Sequence, residues 1–126
     1  EAVRVYARYD TPWKKFDGVM LSRRDGYARF DQEAPPLDIP EGVEHVWNWF
    51  ISIGEVVGRV RDGVCDPVPP SEWLAWRTLT GEIVHSWEQE ALFAMDVAFC
   101  DEINKELEDK RAAHSDDVSK RGKRGR

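Results

Sequence analysis

The side chains that could carry chemistry are few in kind and widely spread. Three histidines, His45, His85 and His114, stand at no metal-ligand spacing, and Cys65 and Cys100 form no CxxC pair. A nucleophile, a metal-assisted base or a phosphate cradle would show as GxSxG, HExxH, a Walker-type loop or GxGxxG, and none occurs. Carboxylates number 24, so pairs such as Glu88/Asp96 and Asp101/Glu102, which could divide acid and base work, also arise by chance. Solvated helix surface is their expected role. Both thiols are expected to be buried and inert in a reducing cytosol, with one disulfide as the alternative. No enzymatic activity, cofactor or metal is expected.

Tryptophan is the residue type in excess. Six in 126 residues is more than a minimal core needs, and surplus tryptophan marks interfaces. Trp47, Trp76 and Trp87 fall on the main apolar faces and are expected in the core. Trp49 lies off the main stripe, beside Ile53 and Val56. The surface expected to bind another protein is therefore Trp49, Ile53 and Val56, with Trp73 as their neighbour.

Helices must present those residues. From Glu41 and Gly42 onward, Val43, Val46, Trp47, Phe50, Gly54 and Val57 recur at helical spacing, which predicts a helix over 43–60. Its other side carries a second apolar row, Trp49, Ile53, Val56 and Val60, so it is sandwiched in the fold or covered by a partner. Arg61-Asp62-Gly63 is expected to stop it. Asp66-Pro67-Val68-Pro69-Pro70 forms a rigid connector, and Ser71 and Glu72 signal a short helix over 71–80 that ends at Gly81. Ser86-Trp87-Glu88-Gln89 has capping-box spacing; Leu92, Met95, Phe99, Ile103 and Leu107 continue as a helix over 87–109.

The first forty residues lack a helical period. Val3, Val5, Ala7 and Tyr9 alternate with Arg4, Tyr6 and Arg8 and predict a short strand, with a second extended piece over Trp13 to Leu21 and turns at Asp17-Gly18 and Asp25-Gly26. Pro35, Pro36 and Pro40 make a stiff linker. The expected fold class is mainly α: an extended, partly β arm over 1–40, a three-helix domain over 41–109 and a basic, disordered tail over 110–126.

Charge follows the same divisions. Residues 41–108 hold fourteen acidic and four basic side chains, net −10, whereas residues 109–126 hold three and seven, net +4. The acidic body would repel nucleic acid, so the basic tail weakly supports a nucleic-acid-binding regulator. No stretch approaches the roughly 20 apolar residues of a spanning helix, and the first residues lack a basic start followed by an apolar run, so a cytoplasmic location without membrane contact is expected.

The run Pro69-Pro70-Ser71-Glu72-Trp73-Leu74-Ala75-Trp76-Arg77-Thr78-Leu79-Thr80-Gly81, then Ser86-Trp87-Glu88, then Leu92-Phe93-Ala94-Met95-Asp96-Val97-Ala98-Phe99, resembles the tail assembly chaperones of long-tailed bacteriophages. Trp47-Asn48-Trp49-Phe50 looks like that family's tryptophan-rich helix. The likeness covers about 43–105 and consists of helix-packing motifs. It implies a protein of the host cytoplasm that binds the long, hydrophobic tape-measure protein, keeps it soluble and helps recruit tail-tube subunits. A homo-oligomer is compatible with it. The competing expectations are a virion structural subunit of the tail or head-tail region and the small nucleic-acid-binding regulator.

Overall fold

In a computed structural model of the protein, the described residues are 1–16, 19–30 and 32–124. The fold is mainly α, as the periodicity predicts. The N-terminal segment departs from expectation: α1 (Ala2–Val5) runs into a π-helical stretch, Tyr6–Asp10, where alternation predicts a strand. Val3 and Ala7, one helical turn apart, are buried, and Tyr6 sets its ring against Trp47, Phe50 and Phe99 at 5.6, 6.4 and 6.1 Å. So short a segment satisfies both periods, and packing chose the helical one.

The second extended piece is an antiparallel hairpin of β1 (Pro12–Phe16) and β2 (Val19–Ser22), with an irregularity between Pro12 and Lys14. The expected Asp17-Gly18 turn lies outside the described residues. Asp25-Gly26 is not a turn; it sits inside α2 (Arg23–Arg29), whose first turn is capped by Ser22 Oγ accepting the Asp25 N–H at 3.3 Å. The proline-rich stretch has no regular secondary structure, and Leu37 and Ile39 lean on the core.

α3 spans Glu44–Val56, shorter than expected at its C-terminal end. The chain leaves it through Val57 and Gly58, which lets Arg59 turn back under the helix. Next come β3 (Val60–Arg61) and β4 (Val64–Cys65), a hairpin the periodicity does not show. Asp62 and Gly63, at φ of 52° and 77°, form its two-residue turn, so Asp62-Gly63 reverses the chain rather than ending a helix.

α4 covers Pro70–Thr80 and closes on Gly81 at φ 70°, the left-handed conformation expected there. Its start differs: Pro69 is the capping position, Pro70 opens the first turn, and Ser71 lies inside the helix, so no side chain caps it. α5 spans Ser86–Arg124. At its start Glu88 Oε1 accepts the His85 N–H at 2.8 Å, so the capping residue is His85, one position before the expected serine.

The core lies where α1, α3, α4 and α5 converge. α3 gives Val46, Trp47, Phe50 and Ile53, α4 gives Trp73 and Trp76, and α5 gives Leu92, Phe99, Cys100 and Ile103. α5 leaves this core after Leu107 and is exposed from Glu108 to Lys120. The helix continues through Arg124 over the stretch expected to lack fixed structure, without burial along residues 108–120.

Candidate protein-binding surface

The four residues expected to form a binding patch are not together on the surface. Ile53 is fully buried and Trp73 is 2% exposed, so both are core. Ile53 continues the Val46–Phe50 face at the next three-residue step, which phases it inward. Trp73 meets Trp76 edge-on at 5.8 Å and Phe93 at 6.4 Å. Trp49 is half-buried, its ring edge-on to Trp76 at 6.3 Å and to His45 at 5.0 Å. Val56, at 73% exposure, is the member of the four that stands in water.

Trp87 is the opposite correction: expected in the core, it is 54% exposed. Beside it His45 Nε2 and Glu88 Oε2 lie 2.5 Å apart, and the His45 ring faces both Trp49 and Trp87. The His85 backbone N–H and the His45 contact hold the Glu88 carboxyl below the ordinary carboxylate range.

Leu74 and Leu79 of α4, Ile83 of the following loop, and Trp87, Phe93 and Val97 of α5 stand exposed, as do Phe30, Val56, Val60, Val64 and Val118 elsewhere in the chain. With Trp73 and Trp76 turned inward, α4 presents Leu74, Ala75, Thr78 and Leu79 to solvent, with the exposed Glu72 on the stripe of Ala75 and Leu79. Leu79 and Ile83 are 84% and 77% exposed. Trp87, Phe93, Ala94 and Val97 share the outer side of α5, with Glu90 and Asp101 among them. The sequence contained part of the signal: helical phase turns Leu74 away from the face of Trp73 and Trp76, whereas Leu79, three residues after Trp76, falls beside that face and is nevertheless exposed. The expectation missed them because it read Trp73, Leu74, Trp76 and Leu79 as one broad apolar face.

The acidic residues on the inner side of α5 are the other correction. Glu88, Asp96 and Glu106, the first two expected in solvent, are all buried and bonded. Arg59 Nε donates to Asp96 Oδ1 at 2.8 Å, the Val68 N–H to Oδ2 at 3.3 Å, and the Arg59 guanidinium lies 4.4 Å from the centre of the Phe50 ring. Burial pushes the Asp96 carboxyl above its ordinary value while Arg59 pulls the other way. Arg23 forks onto Glu106 at 2.9 and 2.5 Å, and that hydrogen-bonded pairing holds its carboxyl low.

A cleft of about 170 Å³ opens between the N-terminal helix and α3, lined by Tyr6, Thr11, Ile51, Gly54, Glu55, Arg59, Val60 and Phe99. Typical small-molecule pockets hold roughly 300–1,000 Å³, and the guanidinium in this one is already committed to Asp96. Among the described residues no cluster of three or more His, Cys, Asp or Glu could hold a metal ion, and no helix is long and apolar enough to cross a membrane. No protein-family model matches the chain, and no curated protein or solved structure is significantly similar to it.

Proposed function

We propose that this chain is a binding factor for an apolar, helical protein client and acts as a phage tail assembly chaperone. The client is the tape-measure protein, held soluble in the host cytoplasm while tail-tube subunits are recruited. The observation that carries the binding role is the set of large apolar side chains left exposed on α4, the loop after it and the first turns of α5: Leu74, Leu79, Ile83, Trp87, Phe93 and Val97. The client's identity rests on the resemblance of residues 43–105 to that chaperone family. An exposed apolar stretch rimmed by charge marks protein-binding sites, and such helical faces take the apolar side of a partner helix. The net −10 of residues 41–108 would keep a loaded complex dispersed.

Co-expression with the tape-measure protein of the same phage, followed by affinity purification and intact-complex mass measurement, tests this reading. A soluble complex that requires this chain, and is lost in Leu79→Asp/Trp87→Ala with helicity unchanged, supports it. Insoluble tape measure, with this chain recovered from purified virions, replaces it with a structural subunit. Steeply salt-dependent nucleic-acid binding that disappears on removing residues 114–126 replaces it with a regulator.

A further inference from the structure

Cys65 and Cys100 take no part in the surface above, yet they are the two thiols of the chain and they touch. Cys65 ends β4, Cys100 lies on the inner side of α5, both are buried, and their sulfurs are 2.8 Å apart. Asn104, one turn beyond Cys100, clamps the facing backbone: its Oδ1 accepts the Cys65 N–H at 2.9 Å and its Nδ2 donates to the Cys65 carbonyl at 3.0 Å. The strand carrying one sulfur is thereby tied to the helix carrying the other.

We propose that Cys65 and Cys100 form a redox couple that closes to an intramolecular disulfide by exchange with a small-molecule disulfide of the oxidised-glutathione class, locking the β3–β4 hairpin onto α5. The hairpin must lift from α5 to admit the reagent; its two-residue strands, with Val60, Arg61 and Val64 exposed, hold it by few bonds of their own, so the Asn104 pair is the contact that opens. Cys65 is the attacking sulfur. The hydrogen bond with Cys100 and the charge of Arg59 draw its thiol below the ordinary value, while that same bond and burial raise Cys100. The Cys65 thiolate attacks one sulfur of the reagent, breaks its S–S bond and expels one thiolate. The Cys100 sulfur then attacks Cys65 and expels the second. The two expelled thiolates take up the two protons that the cysteines lose, so two protein thiols are oxidised and one disulfide is reduced to two thiols.

The full chain, equilibrated without air against a series of reduced-to-oxidised glutathione ratios, then acid-quenched, alkylated in denaturant and weighed intact, tests the couple independently of any client. The expected result is direct passage from a doubly alkylated species to an unalkylated monomer lighter by two hydrogen atoms. Tm should rise by on the order of 10 °C in that species and return on adding dithiothreitol. Cys100→Ser should instead accumulate a glutathione adduct on Cys65. Two alkylated thiols at every ratio, or glutathione adducts of the unsubstituted chain without the unalkylated monomer, would overturn the proposal.

Discussion

Asp96 shows how a single residue can be phased correctly by the sequence and still be misread. It falls on the buried stripe Leu92, Asp96, Phe99, Cys100 and Ile103, at steps of three and four, so helical phase alone turns it inward. What the sequence does not contain is Arg59, brought beneath it by the break after α3. Arg59→Met should cost about 3–5 kcal/mol in urea unfolding, because it strands a buried carboxylate, whereas Arg59→Met/Asp96→Leu should cost much less. Equal losses in the two variants would refute the pairing. Glu88 and Glu106 behave differently with pH. Their folded-state values lie below the unfolded 4.5, so they contribute stability that is present above about pH 4.5 and lost as pH falls through the folded values. Asp96, raised above 3.8 by burial, has the opposite sign and partly offsets that loss on acidification. The urea midpoint should therefore fall below about pH 4.5, and Arg23→Gln should flatten the Glu106 share of the slope.

Elements differ in how much of them is local. The C-terminal stop of α4 is local, since Gly81 at φ 70° places its N–H 3.0 Å from the Arg77 carbonyl. Gly81→Ala should cost about 1 kcal/mol because a Cβ disfavours that backbone region. Gly26 is the contrasting case. It is mid-helix in α2, and a Cβ there would meet nothing within 4 Å. Gly26→Ala should therefore stabilise by about 0.5–1 kcal/mol, and thermal unfolding of both variants checks the opposite signs. The β3–β4 hairpin was half legible: Asp62-Gly63 is a strong hairpin turn, but strands of two residues leave no alternation to detect. The N-terminal helix was not legible, because its period is decided by Tyr6 reaching three rings on α3 and α5.

At the scale of the molecule, α5 has two halves with different support. Up to Leu107 it is packed; from Glu108 to Lys120 it is exposed, with Arg111 reaching the Gly63 carbonyl. Truncation after Ala113 should reduce the helical circular dichroism signal and leave Tm within a few degrees, since a helix without tertiary packing adds little to global stability. A large fall in Tm would mean that the distal half is structural. The exposed apolar side chains belong to the same scale, because α4, the loop after it and α5 all contribute them.

The sequence by itself determined the mainly α class, the positions of α4 and the packed part of α5, the proline-rich connectors, the left-handed stop at Gly81 and the segregation of charge. Each depends on periodicity or on the backbone preferences of a few adjacent residues. Tertiary structure alone decided that Ile53 and Trp73 are core while Trp87 is surface, that Glu88, Asp96 and Glu106 are buried with partners, and that Cys65 meets Cys100. Those outcomes depend on which apolar face another element covers, and on cations and thiols arriving from elsewhere in the chain. A helix with apolar residues on two sides does not contain that information.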